Sequence, residues 1–254
     1  MYLVDYHTHP FSHGEKTDYN KDIYKKFIKR AMDMGIKELG FSDHDEYEQN
    51  IDLSIIDSLK NESDIPILKG LEIDYIPGRE EEILRKINKY NLDYTIGSVH
   101  FIGNWAFDHP DYINEYNTRD IDQCYIEYFD ILNKAVKSGL FNIIGHFDLI
   151  KVFGFRSNLN IIDIIKPVLK NIKKYELVLE INTNGLNKPI NEIYPSVEII
   201  EKVHQLNIPI TFGSDAHIAY RVGENILNYA KIINDIGYKE IAVFRKGKLS
   251  FRNL

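Results

Sequence analysis

The sequence predicts an α/β fold built on a mainly parallel sheet, most simply one barrel. Seven short runs rich in apolar and β-branched residues alternate with longer segments in which apolar residues recur every three or four positions. A chain of 254 residues suits one large barrel, and no linker, low-complexity tract or internal repeat divides it. We therefore expect a single domain spanning residues 1–254.

The predicted elements follow one another as strand and helix. The strands are predicted at residues 2–7, 37–42, 66–74, 94–100, 141–146, 177–182 and 209–215. Amphipathic helices are predicted at residues 21–35, 80–90, 121–139, 161–175, 196–206 and 222–237. Gly35, Gly139 and Gly237 stand where helices are expected to end. Pro167 is expected to interrupt or to start its helix, because proline lacks the backbone N–H.

Two segments depart from this alternation. Residues 101–118 are rich in aromatic residues and asparagine and contain a proline, so we expect an ordered loop over the site. Residues 240–254 are expected to close the chain as a final strand, or as a hairpin turning at residues 245–248.

Composition and charge limit the classes of partner. The chain is 44% hydrophobic and 27% charged, as in globular proteins, and has no apolar run of transmembrane length and no signal-peptide pattern. The single cysteine, Cys124, allows no internal disulfide, which favours a cytoplasmic location. The net charge of −7 disfavours binding to a nucleic-acid backbone. It does not exclude a small phosphorylated substrate, since a bound cation can invert the local field.

The first strand ends in the sequence VDYHTHP, which places His7 and His9 two residues apart. Side chains at this spacing project from the same face of a strand, so these imidazoles could bind one ion. An HxH pattern also arises by chance as a solvated loop or a pair of hydrogen-bonded core residues. The rest of the chain has to decide between these interpretations.

The positions of the other histidines favour a metal site. Six of the nine histidines lie at or just beyond the carboxyl end of a predicted strand: His7, His9, His44, His100, His146 and His217. The same ends carry carboxylates: Asp43, Asp45, Glu72, Asp74, Glu180 and Asp215. In a parallel barrel these ends converge on one face. Imidazole and carboxylate ligands suit Zn²⁺, Mn²⁺ or Fe, and Glu72 could join two ions.

Short motifs in this chain resemble the polymerase and histidinol phosphatase (PHP) superfamily of metal-dependent phosphoesterases. HTH, SDH, GLE, SVH, GH and GSDAH occur in the order of that superfamily. More narrowly, HTHPFSHG, GLEIDYIPG, GSVHF, GHFDLIKVF, EINTNGL and FGSDAH resemble the monofunctional histidinol-phosphatases, from residue 5 to about residue 223. The resemblance implies a distorted (β/α)7 barrel with a site of three metals, at which two to three divalent ions (Zn, Fe or Mn) bind.

The resemblance also implies a set of ligands centred on Glu72. The set comprises His7, His9, Glu72 and Asp215 for one ion, Glu72, His100 and His146 for a second, and His13, His44 and His217 for a third. A loop histidine in water is the alternative for His13. Asp43, Asp45 and Asp5 are expected to orient imidazoles by accepting their second N–H.

The implied reaction is the hydrolysis of L-histidinol phosphate to L-histidinol and inorganic phosphate, a step of histidine biosynthesis. We expect a metal-bound hydroxide as the nucleophile and no covalent intermediate, because the sequence has no nucleophile elbow, Walker loop or convincing Cys and His pair. Arg156, soon after the fifth strand, is expected to bind the substrate phosphate. Arg79, Lys151 and Arg221 are the alternatives.

Two other functions stay open at this point. One is a PHP phosphoesterase that acts on a nucleotide, a sugar phosphate or a phosphotyrosyl protein. The other is a catalytically silent metal-binding module that assists a polymerase, which the absence of an attached polymerase region in 254 residues disfavours. In the preferred interpretation the partner is a small phosphate monoester, with neither nucleic acid nor membrane as a partner.

Overall fold

The computed structural model describes residues 1–14 and 20–254, and every predicted strand forms within them. The strands in chain order are β1 (Val4–Asp5), β2 (Glu38–Phe41), β3 (Ile67–Lys69), β4 (Glu72–Asp74), β5 (Ile96–Ser98), β6 (Phe101–Ile102), β7 (Trp105–Ala106), β8 (Ile143–Ile144), β9 (Val178–Asn182), β10 (Ile210–Gly213), β11 (Glu240–Arg245) and β12 (Lys248–Asn253). The predicted strand at 66–74 is divided into β3 and β4 by Gly70 and Leu71. The regular strands are shorter than predicted, and the residues at their carboxyl ends enter the connecting loops.

The six predicted helices are confirmed, and α2 is a further helix that we did not predict. The helices are α1 (Lys21–Asp33), α2 (Ser54–Lys60), α3 (Glu80–Lys89), α4 (Ile121–Ser138), α5 (Ile161–Lys174), α6 (Val197–Gln205) and α7 (Ile226–Ile236). Short 3₁₀ segments lie at Asp45–Tyr47, Pro110–Thr118, Leu149–Lys151, Asn184–Asn187 and Ala219–Arg221.

The helix ends follow the predicted glycines, but the prediction for Pro167 is wrong. Gly139 and Gly237 are the C-terminal caps of α4 and α7, and Gly35 comes directly after the cap of α1. Pro167 lies inside α5, which runs on without a break. A proline in a helix costs about 3 kcal/mol. Burial of the apolar face that includes Ile165 offsets this cost, because tertiary packing supplies most of the stability of a helix in a protein.

The main strands form two parallel sheets, and backbone hydrogen bonds join one sheet to the other. One sheet has the order β1-β2-β3, and the other has the order β10-β9-β8-β5-β4. The backbone links them beyond the strand ends, where Glu72 N–H donates to Ser42 O at 3.1 Å. On the other side, Tyr6 N–H donates to Phe212 O at 3.0 Å, which joins β1 to β10. The fold is therefore a parallel α/β fold in which the carboxyl ends of the main strands lie at one end.

Two glycines leave room for Tyr94 in the interior of the molecule. A Cβ atom at Gly40 would collide with Tyr94 Oη, and one at Gly70 would collide with the same ring. The hydroxyl donates to Tyr6 O at 2.5 Å, and the Tyr6 and Tyr94 rings stack at 5.2 Å. Glycine is required at both positions because the phenol ring approaches the backbone closely.

The predicted C-terminal hairpin is confirmed as β11 and β12, and it packs at the amino ends of the strands. Arg245 Nη1 donates to Glu38 Oε2 at 2.7 Å, at the start of β2. Tyr2 N–H, just before β1, donates to Asn253 O at 3.0 Å. The hairpin therefore occupies the end opposite to the histidines, and the carboxyl ends remain for the loops.

Residues 101–118 are ordered, but they are not the single loop that we expected. They contain the β6–β7 hairpin and the 3₁₀ segment Pro110–Thr118. The Trp105 and Tyr116 rings are 4.6 Å apart, and the Arg119 guanidinium lies 4.3 Å from the Trp105 ring. Tyr116 Oη donates to Ile150 O at 3.0 Å. This bond anchors the segment to the loop after β8, at the carboxyl ends of the strands.

The main apolar core is one continuous cluster of buried residues that begins at Leu3 and ends at Phe244. A smaller cluster around Ile83 lies under α3. Among residues 1–14 and 20–254, none of the helices combines the length and the apolar character that a bilayer crossing requires.

We expect Gly40→Ala to lower the free energy of unfolding by roughly 1–3 kcal/mol, the usual cost of overpacking a core, because the new methyl group meets Tyr94 Oη. Urea unfolding of Gly40→Ala, Tyr94→Phe and the double variant measures this. The double variant should lose less than the sum of the single losses, since the colliding oxygen is gone. Additive losses would contradict the packing account.

Candidate metal centre

Seven of the predicted ligands converge at the carboxyl ends of the parallel strands. They form three overlapping groups, within each of which the candidate ligand atoms lie within 4.8 Å of one another: His7, His9 and Glu72; Glu72, His100 and His146; and His9, His44 and His217. The residues come from loops that are far apart in sequence. The strand-end positions of the histidines therefore do predict where these side chains meet.

His7 and His9 lie on one side of the extended chain that follows β1, as the HxH spacing predicted. Both side chains are fully buried, and their ring centroids are 4.9 Å apart. Thr8, between them, points the other way and donates through Oγ1 to Gly40 O at 2.7 Å. The pairing of Thr8 with Ala216 keeps this segment extended.

Glu72, the first residue of β4, faces two ligand groups at once. Its Oε1 lies 2.9 Å from His146 Nε2 and accepts a hydrogen bond from Ser98 Oγ at 2.6 Å. Its Oε2 lies 3.2 Å from His7 Nε2 and 2.9 Å from His44 Nδ1. One buried carboxylate is thus positioned to serve two ions.

The surroundings of Glu72 favour its charged form. Burial alone raises the pKa of a carboxyl group, but the imidazoles of His7 and His44 and the hydrogen bond with His146 outweigh burial and hold the pKa of Glu72 well below its usual value. A metal cation at the same place would favour the same charge state. Glu72 is therefore a carboxylate at neutral pH.

Two further carboxylates, those of Glu180 and Asp74, orient two of the imidazoles by contacting their Nδ1 atoms. Glu180 Oε1 lies 2.6 Å from His7 Nδ1, and Asp74 Oδ1 lies 2.5 Å from His100 Nδ1. A carboxylate on one ring nitrogen fixes the tautomer and presents the other nitrogen to a metal. Glu180 Oε2 also accepts from His146 N–H at 2.7 Å. The sequence places both acids at strand ends, but it does not reveal this role.

Two of the three acids that we expected in this role, Asp5 and Asp45, contact other groups instead. Asp5 accepts backbone hydrogen bonds from Ser214 N–H at 2.9 Å and Gly223 N–H at 2.8 Å. Asp45 forms an ion pair with Lys86 at 2.6 Å. Among the described contacts these two acids anchor loops, so the prediction that they orient imidazoles is wrong. Their partners come from remote parts of the chain.

The third group brings His44 and His217 together with His9, and His13 lies beside them. The ring of His9 is 4.3 Å from that of His44 and 4.4 Å from that of His217. The exposed His13 ring is 4.5 Å from His217 and 5.5 Å from His44. His13 is thus adjacent to both of its predicted partners, and its role as a ligand stays a prediction.

Two imidazoles of this group are neutral at physiological pH. Burial lowers the pKa of His217 to about 4, and the nearby His13 and His44 add to this effect against the opposing charge of Asp215. Burial, His44 and His217 together hold the pKa of His9 well below its usual value. Neutral imidazole is the form that binds metal.

Asp215 adjoins the first group from the turn after β10. Its backbone is left-handed, with φ of 52°, a conformation that Asp adopts more readily than most residues. Its Oδ1 lies 3.2 Å from His9 Nε2, and its Oδ2 accepts from Asn184 Nδ2 at 3.2 Å. The turn therefore brings the carboxylate to the side of the cluster where the resemblance implies a ligand.

The spacing of the donor atoms fits bound metal ions. Ligand atoms held about 2.0–2.2 Å from a tetrahedral ion lie roughly 3.3 Å from one another. His100 Nε2 and His146 Nε2 are 3.2 Å apart, and His7 Nε2 is 3.2 Å from Glu72 Oε2. Within residues 1–14 and 20–254, the buried Nε2 atoms of His7 and His44 make no hydrogen bond. Buried polar atoms need a partner, and a cation would supply one.

The predicted phosphate-binding cation, Arg156, lies in a charged network with Glu192. The Arg156 side chain is 55% exposed, and its Nη2 donates to Glu192 Oε2 at 3.0 Å. Buried Lys151 lies 2.7 Å from Glu192 and 2.7 Å from Asp148. The contact of Arg156 with phosphate stays a prediction.

Imidazole and carboxylate groups at the strand ends of a parallel α/β fold are typical of metal-binding proteins. Comparison with known families shows to which family this chain belongs. The family described as the PHP domain matches residues 5–184. The chain therefore belongs to the PHP domain family.

Named relatives extend this similarity along almost the whole chain. A probable histidinol-phosphatase of Deinococcus radiodurans is 31% identical over 267 residues, covering 97% of this chain and 98% of the relative. The histidinol-phosphatase of Bacillus subtilis is 27% identical over 264 residues, covering 88% of this chain and 96% of the relative. The histidinol phosphate phosphatase of Lactococcus lactis, crystallised with zinc, L-histidinol and phosphate, superposes with a TM-score of 0.78 at 24% identity, covering 98% of each chain. The last likeness shows a shared fold.

We expect Glu72→Gln to lower metal affinity by at least roughly 10- to 100-fold, the cost of losing a residue that only supports a ligand. The substitution removes a negative charge that faces two ligand groups. Metal content after dialysis, measured by mass spectrometry, tests this, and the circular dichroism spectrum should be unchanged.

The matched control for this experiment is Glu38→Gln, which alters another buried glutamate at the opposite end of the strands. The control should keep its full metal content. Equal metal content in the Glu72 variant and the unchanged protein would contradict the shared role of Glu72.

Proposed function

We propose that this protein hydrolyses L-histidinol phosphate to L-histidinol and inorganic phosphate, acting as a metal-dependent histidinol-phosphatase in histidine biosynthesis. The observation that carries the proposal is the buried Glu72 carboxylate between His7 and His146, in a chain that matches histidinol-phosphatases over nearly its whole length. The Lactococcus structure, which contains zinc, L-histidinol and phosphate, supports the same substrate class.

The proposed ligands are the residues of the three groups together with Asp215 and His13, which lie beside them. For one ion they are His7, His9, Glu72 and Asp215; for a second they are Glu72, His100 and His146; and for a third they are His13, His44 and His217. The donor-atom distances among the seven residues of the three groups support this assignment, as do the contact of Asp215 with His9 and the low pKa of His9. Zinc is the first choice because the Lactococcus structure contains it, and the same donor set also suits Fe or Mn²⁺.

When bound, the divalent ions supply a nucleophile from water at neutral pH and neutralise charge on the phosphoryl group. The side chains of the protein position the proposed ligands. Glu180 and Asp74 hold the His7 and His100 rings, so that each presents Nε2 towards Glu72. The buried thiol of Cys124 lies on α4, and burial raises its pKa, which keeps it protonated and unsuited to act as a nucleophile.

We propose that the strands close into a distorted (β/α)7 barrel and that residues 1–254 form one domain. The hydrogen bond from Tyr6 N–H to Phe212 O supports closure between β1 and β10. The pairing of His44 with Glu72 supports continuity between the two sheets. The core cluster from Leu3 to Phe244 supports a single domain. A cytoplasmic location is part of the proposal, supported by the biosynthetic role and the single cysteine.

The function is tested by kinetics of the metal-loaded protein on L-histidinol phosphate and on a panel of a nucleotide, a sugar phosphate and phosphotyrosine. We expect kcat/KM for histidinol phosphate to exceed every other value by at least about 100-fold, the equivalent of about 2.7 kcal/mol. Comparable values across the panel would replace histidinol phosphate with a broader phosphoesterase activity. No phosphate release from any ester, with several metals tried, would favour the silent metal-binding module.

We expect Arg156→Ala to lower kcat/KM about ten- to over a hundredfold, the loss of roughly 1.5–3 kcal/mol from a charged hydrogen bond to phosphate. Within the described chain Arg156 donates to Glu192 through Nη2, which leaves other N–H groups for the substrate. Metal content should not change, and inorganic phosphate should inhibit less strongly. Steady-state kinetics measure both effects.

The control for this variant is Arg252→Ala, which removes an exposed guanidinium on β12, at the other end of the fold. It should leave both kinetic quantities unchanged. If Arg156→Ala also stays within about twofold of the unchanged protein, under 0.5 kcal/mol, Arg156 is a loop charge. Arg221 then becomes the first alternative, because its buried Nε makes no hydrogen bond within residues 1–14 and 20–254.

A further inference from the structure

Tyr194 carries a buried hydroxyl beside the metal centre. The side chain is 1% exposed, and within residues 1–14 and 20–254 its Oη makes no hydrogen bond. Buried hydroxyl groups in folded proteins nearly always have a partner. An unpaired hydroxyl at this place therefore indicates a position that a ligand fills.

The Tyr194 ring is held firmly in place. Its backbone exchanges two hydrogen bonds with Asn182, at 2.7 and 2.9 Å, at the end of β9. A Cβ atom at Gly185 would lie 2.9 Å from Tyr194 Cε2, so the ring packs directly on the backbone there. The hydroxyl is thus fixed before any ligand binds, and a fixed donor loses little freedom on binding.

The Tyr194 ring lies beside one imidazole of the candidate metal centre. The ring meets that of His146 edge-on, with centroids 6.5 Å apart and planes at 78°. Burial raises the pKa of Tyr194, and the charges of Asp148, Asp215 and Asp108 raise it further. A phenol is protonated at neutral pH, so Tyr194 can donate a hydrogen bond.

The ammonium group of Lys151, close to Tyr194, already has three hydrogen-bond acceptors. Lys151 Nζ lies 5.4 Å from the Tyr194 ring centroid. It contacts Asp148 and Glu192 at 2.7 Å each and Ile193 O at 2.9 Å. An ammonium group has three N–H donors, so these three acceptors use all of them. The Tyr194 hydroxyl, unlike the Lys151 ammonium group, is therefore still able to donate to a bound anion.

We propose that Tyr194 Oη donates a hydrogen bond to a phosphoryl oxygen of the substrate and of product phosphate. The inference rests on the proposed function for the ester. Inorganic phosphate tests the contact independently of the organic part of the substrate, because it presents the same oxygen acceptors to the site.

The test compares Tyr194→Phe with the unchanged protein, both loaded with metal. The Phe variant keeps the ring and removes one oxygen atom. We expect its dissociation constant for inorganic phosphate, from calorimetry, to rise about tenfold, equivalent to about 1.4 kcal/mol, while metal content stays the same. The matched control is Tyr238→Phe, whose hydroxyl donates to Ile208 O at 2.9 Å just before β10, at the other end. The control should bind phosphate like the unchanged protein.

Each outcome distinguishes the two proposals. Equal phosphate affinity in Tyr194→Phe and the unchanged protein overturns the hydroxyl contact. A loss of metal together with phosphate in the Phe variant also overturns it, because the effect then passes through the ligands. No phosphate binding by the unchanged, metal-loaded protein overturns the hydroxyl contact, whereas the kinetics on histidinol phosphate test the proposed function separately. A tenfold loss of phosphate affinity, with no preference for histidinol phosphate over other esters, supports the contact and removes only the proposed substrate.

Discussion

The structure depends on a buried carboxylate, Glu72, which is 2% exposed and surrounded by imidazoles. A buried charge that loses its partner typically costs about 3–5 kcal/mol, so the imidazoles must arrive at the right places for the fold to be stable. They come from separate strands, and the register of those strands therefore matters. The pairing of His44 with Glu72, together with the hydrogen bond from Glu72 N–H to Ser42 O, fixes that register at the centre of the site.

The same constraint explains where small residues occur in the strands. A Cβ atom at Gly213 would collide with Glu180 Oε1, and one at Gly145 would lie 2.7 Å from Ser98 Oγ. Glu180 and Ser98 are the groups that hold His7 and Glu72 in place. Glycine thus makes space inside the fold for the polar groups that position the candidate ligands. At the amino ends of the strands the interior is filled differently, by tyrosine rings and the C-terminal hairpin.

The sequence predicted which histidine and glutamate side chains converge, because their positions follow from local rules. The two-residue period of an extended chain places His7 and His9 together, and parallel strands bring their carboxyl ends to one face. The supporting contacts do not follow from local rules. Glu180 and His7 are 173 residues apart, and only the packed fold makes them partners. Helix α2, with SIIDSLK, is too short for its periodicity to stand out, and Pro167 sits in a helix that packing stabilises against its local preference.

The charge states around Glu72 connect this architecture to metal binding. Burial lowers the pKa of His7, but the charges of Glu180, Glu72 and Asp215 outweigh burial and raise it well above its usual value. Without an ion, protonation of His7 is therefore favoured, because a positive charge on its ring interacts favourably with these three carboxylates. A metal ion bound at His7 would supply that charge, but it would require the coordinating nitrogen in its neutral form. Protons and metal ions would thus compete for the same imidazole nitrogen. The buried carboxylates of Glu180, Glu72 and Asp215 favour the binding of either one.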